Sequence, residues 1–149
     1  MNILVVDDEP AILWTLGEIL KGCGFTVITA PNARAAKAVL SQQNFDVVIT
    51  DMNMETHEAG YEVARMAVTR SPKTVVIIIS AYPLNSGWRE HGAHAFLEKP
   101  VPTEVLLGTI QQLRICGTTV SPVNGDGHDN SDAKPQQIDN STSPGEPGC

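Results

Sequence analysis

The sequence predicts an α/β domain: a parallel sheet with helices on both faces. Two observations carry this expectation. Five short runs rich in β-branched and aromatic residues recur through residues 1–116, with helical patterns between them. The third and fourth runs, 46–50 and 74–79, are almost continuously apolar, as central strands covered on both sides must be.

The elements follow in order. NILVV (2–6) is the first strand. A helix comes next, with Ile12, Leu16, Ile19 and Leu20 on one face. FTVIT (25–29) is the second strand and the Ala-rich stretch 32–43 the second helix. DVVIT (46–50) is followed by a helix over 60–70 that turns Val63, Ala64, Ala67 and Val68 inward. After TVVIII (74–79) the fourth helical slot, 83–92, is interrupted by Pro83, Gly87 and Gly92, so a shortened fourth helix is predicted. HAFLE (94–98) is the last strand. Residues 102–115 form the last helix, with Pro102 near its start and Leu106, Ile110 and Leu113 on one stripe.

Composition bounds the rest. The chain has 149 residues, enough for one domain with a core. Its net charge of -7 excludes a basic nucleic-acid footprint. No apolar run approaches a membrane span, and the first is too short for a signal peptide, so a cytoplasmic location is expected. Cys23, Cys116 and Cys149 are widely spaced and suit free thiols better than disulfides or zinc. Beyond residue 116 the composition turns to Gly, Pro, Ser, Thr, Asn and Asp. That segment carries five acids against the single base Lys134. It has too little apolar surface to offset chain entropy, so 117–149 is expected to be a disordered acidic tail, with no output domain.

In a parallel sheet of this type, ligands bind beyond the carboxyl ends of the strands. Those ends carry Asp7-Asp8-Glu9, Asp51, Ser80-Ala81 and Glu98-Lys99-Pro100. Two unit charges about 4 Å apart repel by roughly 1 kcal/mol in water and about 4 at an intermediate dielectric. Clustered carboxylates therefore call for protons or a cation, and hard oxygen ligands suit Mg²⁺. Lys99 and Ser80 can contact phosphate oxygens, and Asp51 is the group left to act as nucleophile. The chemistry implied is phosphoryl transfer onto Asp51. Singly, each residue has a bland reading: Asp51 as a turn residue, Asp7 and Asp8 as helix caps, Lys99 as a solvated charge. Four strand ends together, in the order DD, D, S, K, favour the site.

VVDDEP, VVITD, IIISAY and FLEKP resemble the receiver (CheY-like) domain of bacterial two-component response regulators over residues 1–116, stand-alone type. The resemblance implies a flavodoxin-like, doubly wound five-stranded sheet of order 2-1-3-4-5. It implies that Asp51 accepts phosphate from a histidine kinase or a histidine phosphotransfer protein. Asp8, Asp51 and the Asn53 backbone carbonyl would hold Mg²⁺, with Asp7 assisting through water. Ser80 and Lys99 would contact the phosphoryl group, and Lys99-Pro100 would be cis. Ser80 would move and Phe96, the switch aromatic, would turn inward, altering the surface for an unknown downstream protein. The domain would be a monomer or a phosphorylation-dependent dimer, and it would hydrolyse its own aspartyl phosphate slowly rather than turn over a substrate.

The sequence departs from the family pattern in three places. Glu55 stands where a proline is usual four residues after the acceptor, and Gly60 falls one place late. Ser80 and Lys99 are 19 residues apart, shorter than usual by nearly a helical turn. Phe96 lacks the hydroxyl of the commoner tyrosine. Lower-ranked residues are Asn53 and Tyr82, which would flank the pocket mouth and tune hydrolysis. His57 reads as an exposed loop histidine, and His91 and His94 straddle an element boundary. Trp14, Trp88, Met52 and Met54 read as packing or surface residues. Two other functions compete. Asp51-Met52-Asn53 is similar to the nucleophile motif of haloacid-dehalogenase-like phosphatases, but the second acid and the strand order are wrong for it. A receiver whose switch has decayed would bind partners regardless of phosphate.

Overall fold

The computed structural model describes residues 1–82 and 87–116. The tail expected over 117–149 lies outside them, as does part of the fourth helical slot. Strands β1 (Asn2–Val6), β2 (Thr26–Ala30), β3 (Val47–Asp51), β4 (Val75–Ser80) and β5 (Ala95–Glu98) form one sheet. Its order is β2-β1-β3-β4-β5, and every pairing is parallel. Helices α1 (Pro10–Gly22), α2 (Ala33–Leu40), α3 (Ala59–Arg70) and α4 (Thr103–Cys116) complete the fold.

The two-residue period of the strands sorts their side chains into two cores. Ile3, Val5, Val47, Ile49, Ile77, Ile79 and Leu97 face α1 and α4, where Leu20, Leu106, Ile110 and Leu113 meet them. Leu4, Val6, Val48, Val76, Ile78 and Phe96 face α2 and α3, against Ala36, Leu40, Val63, Ala64 and Ala67. Small residues on α2 and α3 let those helices lie close to the sheet.

Strands two, three and four each start and stop one residue later than the apolar runs suggest. Their predicted first residues serve the turns instead. The Phe25 N–H donates to the Leu20 carbonyl, Asp46 Oδ2 accepts from the Asn2 N–H at 2.7 Å, and the Thr74 hydroxyl donates to the Phe45 carbonyl at 2.6 Å. The shift matters because it draws Asp51 and Ser80 into the ladder as terminal strand residues. Asp51 pairs with Ile79, and the next N–H, of Met52, donates to the Ile79 carbonyl at 2.9 Å. Helix α2 is shorter than predicted because its last turn closes at Ser41, whose hydroxyl donates to the Ala38 carbonyl.

The fourth slot holds, among the described residues, only a 3₁₀ turn at Trp88–His91. It stops at Gly92, whose φ of 95° suits glycine, and a Cβ there would lie 2.7 Å from Val68 Cγ2. Trp88 is 4% exposed and packs against Phe96 with ring centroids 6.5 Å apart. Among the described residues no helix is long and apolar enough to cross a membrane.

Gly60 is where α3 touches the end of β3. A Cβ there would lie 2.5 Å from the Asp51 carbonyl oxygen and 2.8 Å from Met52 Cα, both backbone atoms. Gly60→Ala should therefore destabilise the domain by about 1–3 kcal/mol. Gly108→Ala, in α4 with nothing within 4 Å of the new methyl, should stabilise it by about 0.5–1 kcal/mol. Urea titrations of both variants check the contrast.

Candidate functional site

In the order β2-β1-β3-β4-β5 the connections reverse direction between β1 and β3, and the crevice of a doubly wound sheet opens at that point. The ends of these two strands deliver the acids. Asp7 follows β1 directly, 3% exposed, and its N–H donates to the Ala30 carbonyl at 3.2 Å. Asp8 is exposed. Asp51, the last residue of β3, is 7% exposed. Each of the three offers a carboxylate oxygen, and those oxygens lie within 4.8 Å of one another. The alternative reading of Asp7 and Asp8 as caps of the first helix does not hold. Helix α1 has Pro10 in its first turn and no side-chain cap, while Asp7 Oδ1 accepts from the Glu9 N–H at 2.9 Å.

Lys99 reaches the acids from the end of β5, two strands from β3 and three from β1. Its Nζ lies 3.1 Å from Asp7 Oδ2, 3.3 Å from Asp51 Oδ1 and 3.9 Å from Glu9 Oε1. Its own N–H donates to the Ser80 carbonyl at 2.7 Å, and Lys99-Pro100 is cis. Burial disfavours its charge, but Asp51 and Asp7 outweigh that and raise its pKa above the ordinary lysine value. Asp51 moves the other way from a paired carboxylate. Burial first, then the charge of Asp7, pushes it up to about 6, against the pull of Lys99. One ammonium shared between two buried carboxylates does not neutralise both. The donor set is hard oxygen, partly open to solvent through Asp8, and fits a small divalent cation such as Mg²⁺.

The remaining candidates are arranged around this cluster. Ser80 is buried at the end of β4, and its Oγ accepts from the Tyr82 N–H at 3.1 Å. Phe96 pairs in register with Ile78, two residues before Ser80, so Ser80 and Phe96 share one face of the sheet. Phe96 is already inward, 7% exposed against Trp88. Asn53 is half-buried just beyond Asp51, and Tyr82 is 67% exposed. His57 is exposed. His91 and His94 do not meet. His91 stacks on Tyr61 and contacts Arg65, whereas His94 Nδ1 accepts from the Val76 N–H at 3.0 Å, and burial lowers its pKa.

One contact was not foreseen. Glu55 reaches the start of α2, where Oε2 accepts from Ala33 N–H at 2.9 Å and Arg34 N–H at 3.3 Å. Burial opposes its charge, but hydrogen bonds from its own N–H and those of Ala33 and Arg34, with Lys37 nearby, hold its carboxyl below the usual range. The start of α2 leaves room for such a partner without naming it. Asn32 caps only the Ala35 N–H, and the first turn of α2 has no acid of its own.

A doubly wound sheet with carboxylates and a lysine gathered at its switch point defines a signalling domain of the phosphoacceptor kind. The chain belongs to the response regulator receiver domain family, whose model matches residues 3–111. It is 30% identical over 113 residues to Protein PilH of Pseudomonas aeruginosa, covering 73% of this chain and 93% of PilH. It is 35% identical over 109 residues to a cyclic di-GMP phosphodiesterase of Thermotoga maritima, covering 71% of this chain. The chain spans 29% of that relative's length and 25% of the transcriptional regulatory protein GlrR of Escherichia coli. Among solved structures, the response regulator TrrA of Thermotoga maritima, in complex with Mg²⁺-BeF, superposes with a TM-score of 0.64 at 30% identity. That match covers 75% of this chain and 97% of TrrA.

The raised Asp51 pKa has a measurable consequence. A carboxyl that is harder to ionise folded than unfolded stabilises the fold below its unfolded pKa, and that contribution is lost as pH rises through the folded value. The window therefore runs from 3.8 to about 6. Asp51→Asn should be more stable than the parent at pH 7.5 in EDTA, by roughly 1–3 kcal/mol, and the gap should close near pH 4. Denaturant titrations across pH check this.

Proposed function

We propose that Asp51 is the phosphoacceptor of this receiver domain and that Lys99 and Ser80 hold the transferred phosphoryl group. The observation that carries the reading is the placement of the Lys99 ammonium between Asp7 and Asp51. Asp8, Asp51 and the Asn53 carbonyl would hold Mg²⁺, with Asp7 acting through water. Bound there, the ion would supply charge neutralisation for phosphoryl oxygens.

In the transfer, an ionised Asp51 oxygen attacks phosphorus. The bond from phosphorus to the donor breaks and the donor leaves with the electron pair. A pKa of about 6 leaves Asp51 ionised at neutral pH while keeping it more basic than an ordinary aspartate. Lys99 is positioned to follow the added charge, and the Ser80 hydroxyl to donate to a phosphoryl oxygen. Asn53 and Tyr82, at the mouth, would set access of water and so the slow self-hydrolysis. We read the domain as cytoplasmic and as a monomer or phosphorylation-dependent dimer. Its partners are a histidine kinase or histidine phosphotransfer protein and a downstream protein.

Incubation with acetyl phosphate and Mg²⁺ should label one site per chain, and Asp51→Asn should abolish the label. Labelling that survives Asp51→Asn would overturn the reading. Lys99→Ala should retain Mg²⁺ binding and lose most of the labelling rate.

We propose that the donor protein docks beside Lys99. A cleft of about 440 Å³ runs beside Lys99, lined by Ile12, Leu16, Ile19, Pro100 and Thr103. Ile12→Glu should slow transfer from a phosphorylated histidine protein at least tenfold while leaving acetyl phosphate labelling unchanged.

A further inference from the structure

The segment between β3 and α3 leaves the family pattern, and it is anchored at three points. At its start the Met52 N–H is held by the Ile79 carbonyl, and the Met52 carbonyl accepts from Gly60 N–H at 2.9 Å. At its end Gly60 lies against the Asp51–Met52 backbone. Between them the Met54 N–H donates to the Thr56 carbonyl at 3.1 Å, and Glu55 clasps the Ala33 and Arg34 N–H groups. Asn53 sits between these fixed positions. The far side of the clasp is itself tied to the acids: β2 leads into α2, and the Ala30 carbonyl at its end receives the Asp7 N–H. A closed path therefore runs from Asp7 through Ala30, α2 and Glu55 to Asn53 and Asp51. Charged oxygen on main-chain N–H groups is among the stronger hydrogen-bonded contacts available to a loop.

We propose that Glu55 is a positioning residue that uses the start of α2 to fix the Asn53 carbonyl for the divalent cation. This rests on the receiver reading of the site. Glu55 touches neither ion nor phosphate; it does through a side-chain clasp what a proline would do through a restricted backbone. Groups that orient a metal ligand typically change affinity by about tenfold or more when removed.

The test measures Mg²⁺ dissociation constants from amide chemical shifts of the full chain. Glu55→Ala should raise the constant about tenfold, and Glu55→Gln, which keeps one acceptor oxygen, by less. Ala33→Pro supplies the independent arm. It keeps the Glu55 charge, removes one partner N–H, and places proline at the first helical position, where it is tolerated. Its constant should rise with that of Glu55→Ala, and the two changes should not add. An unchanged constant in Ala33→Pro, with a raised one in Glu55→Ala, would reduce Glu55 to a remote charge and overturn the proposal. Lower melting temperatures with unchanged Mg²⁺ binding in both would also overturn it. A parent chain that binds no Mg²⁺ would instead bring down the receiver reading.

Discussion

The sharing of one ammonium between two buried carboxylates governs the rest of the molecule. Lys99 satisfies Asp7 and Asp51 together but leaves negative charge in excess. Every neighbouring element serves that imbalance. β1 and β3 lie side by side, which sets their terminal acids within reach of each other, and β4 contributes a neutral hydroxyl rather than a third buried acid. Moving a strand by one residue would reverse which face each side chain takes and dissolve the cluster.

The cost of this arrangement is carried by the two cores. Among the described residues, neither face of the sheet has a buried charge away from the carboxyl edge; Val47, Val48, Val76, Ile77 and Ile78 are fully buried in the two apolar clusters. A well-packed body tolerates an unfavourable site at its rim. That separation explains why an isosteric change at Asp51 is expected to help the fold.

Much of this was legible in the sequence, because strand ends are written in it. Asp7, Asp8, Asp51, Ser80 and Lys99 each follow an apolar run, and parallel pairing then brings the ends to one edge. The interruption by Pro83, Gly87 and Gly92 likewise foretold a shortened element, and among the described residues of that slot only a 3₁₀ turn stands. What stayed hidden depended on long-range partners. The clasp of Glu55 joins residues 22 apart, and no local periodicity announces it. His94 reads as a boundary residue until its ring nitrogen is seen replacing a backbone acceptor for Val76. Strand starts were misplaced by one because Asp46 and Thr74 look extended but spend their side chains on turns.

The short turn at Trp88–His91 changes what a protein meeting this side of the domain can read. Four residues make barely more than one 3₁₀ turn, too few for the repeating stripe by which one helix is fitted into the groove of another. Its most hydrophobic member, Trp88, is turned away and enclosed, while Arg89 and Glu90 are exposed. Among the described residues, this turn offers charged side chains around an enclosed indole rather than an apolar ridge.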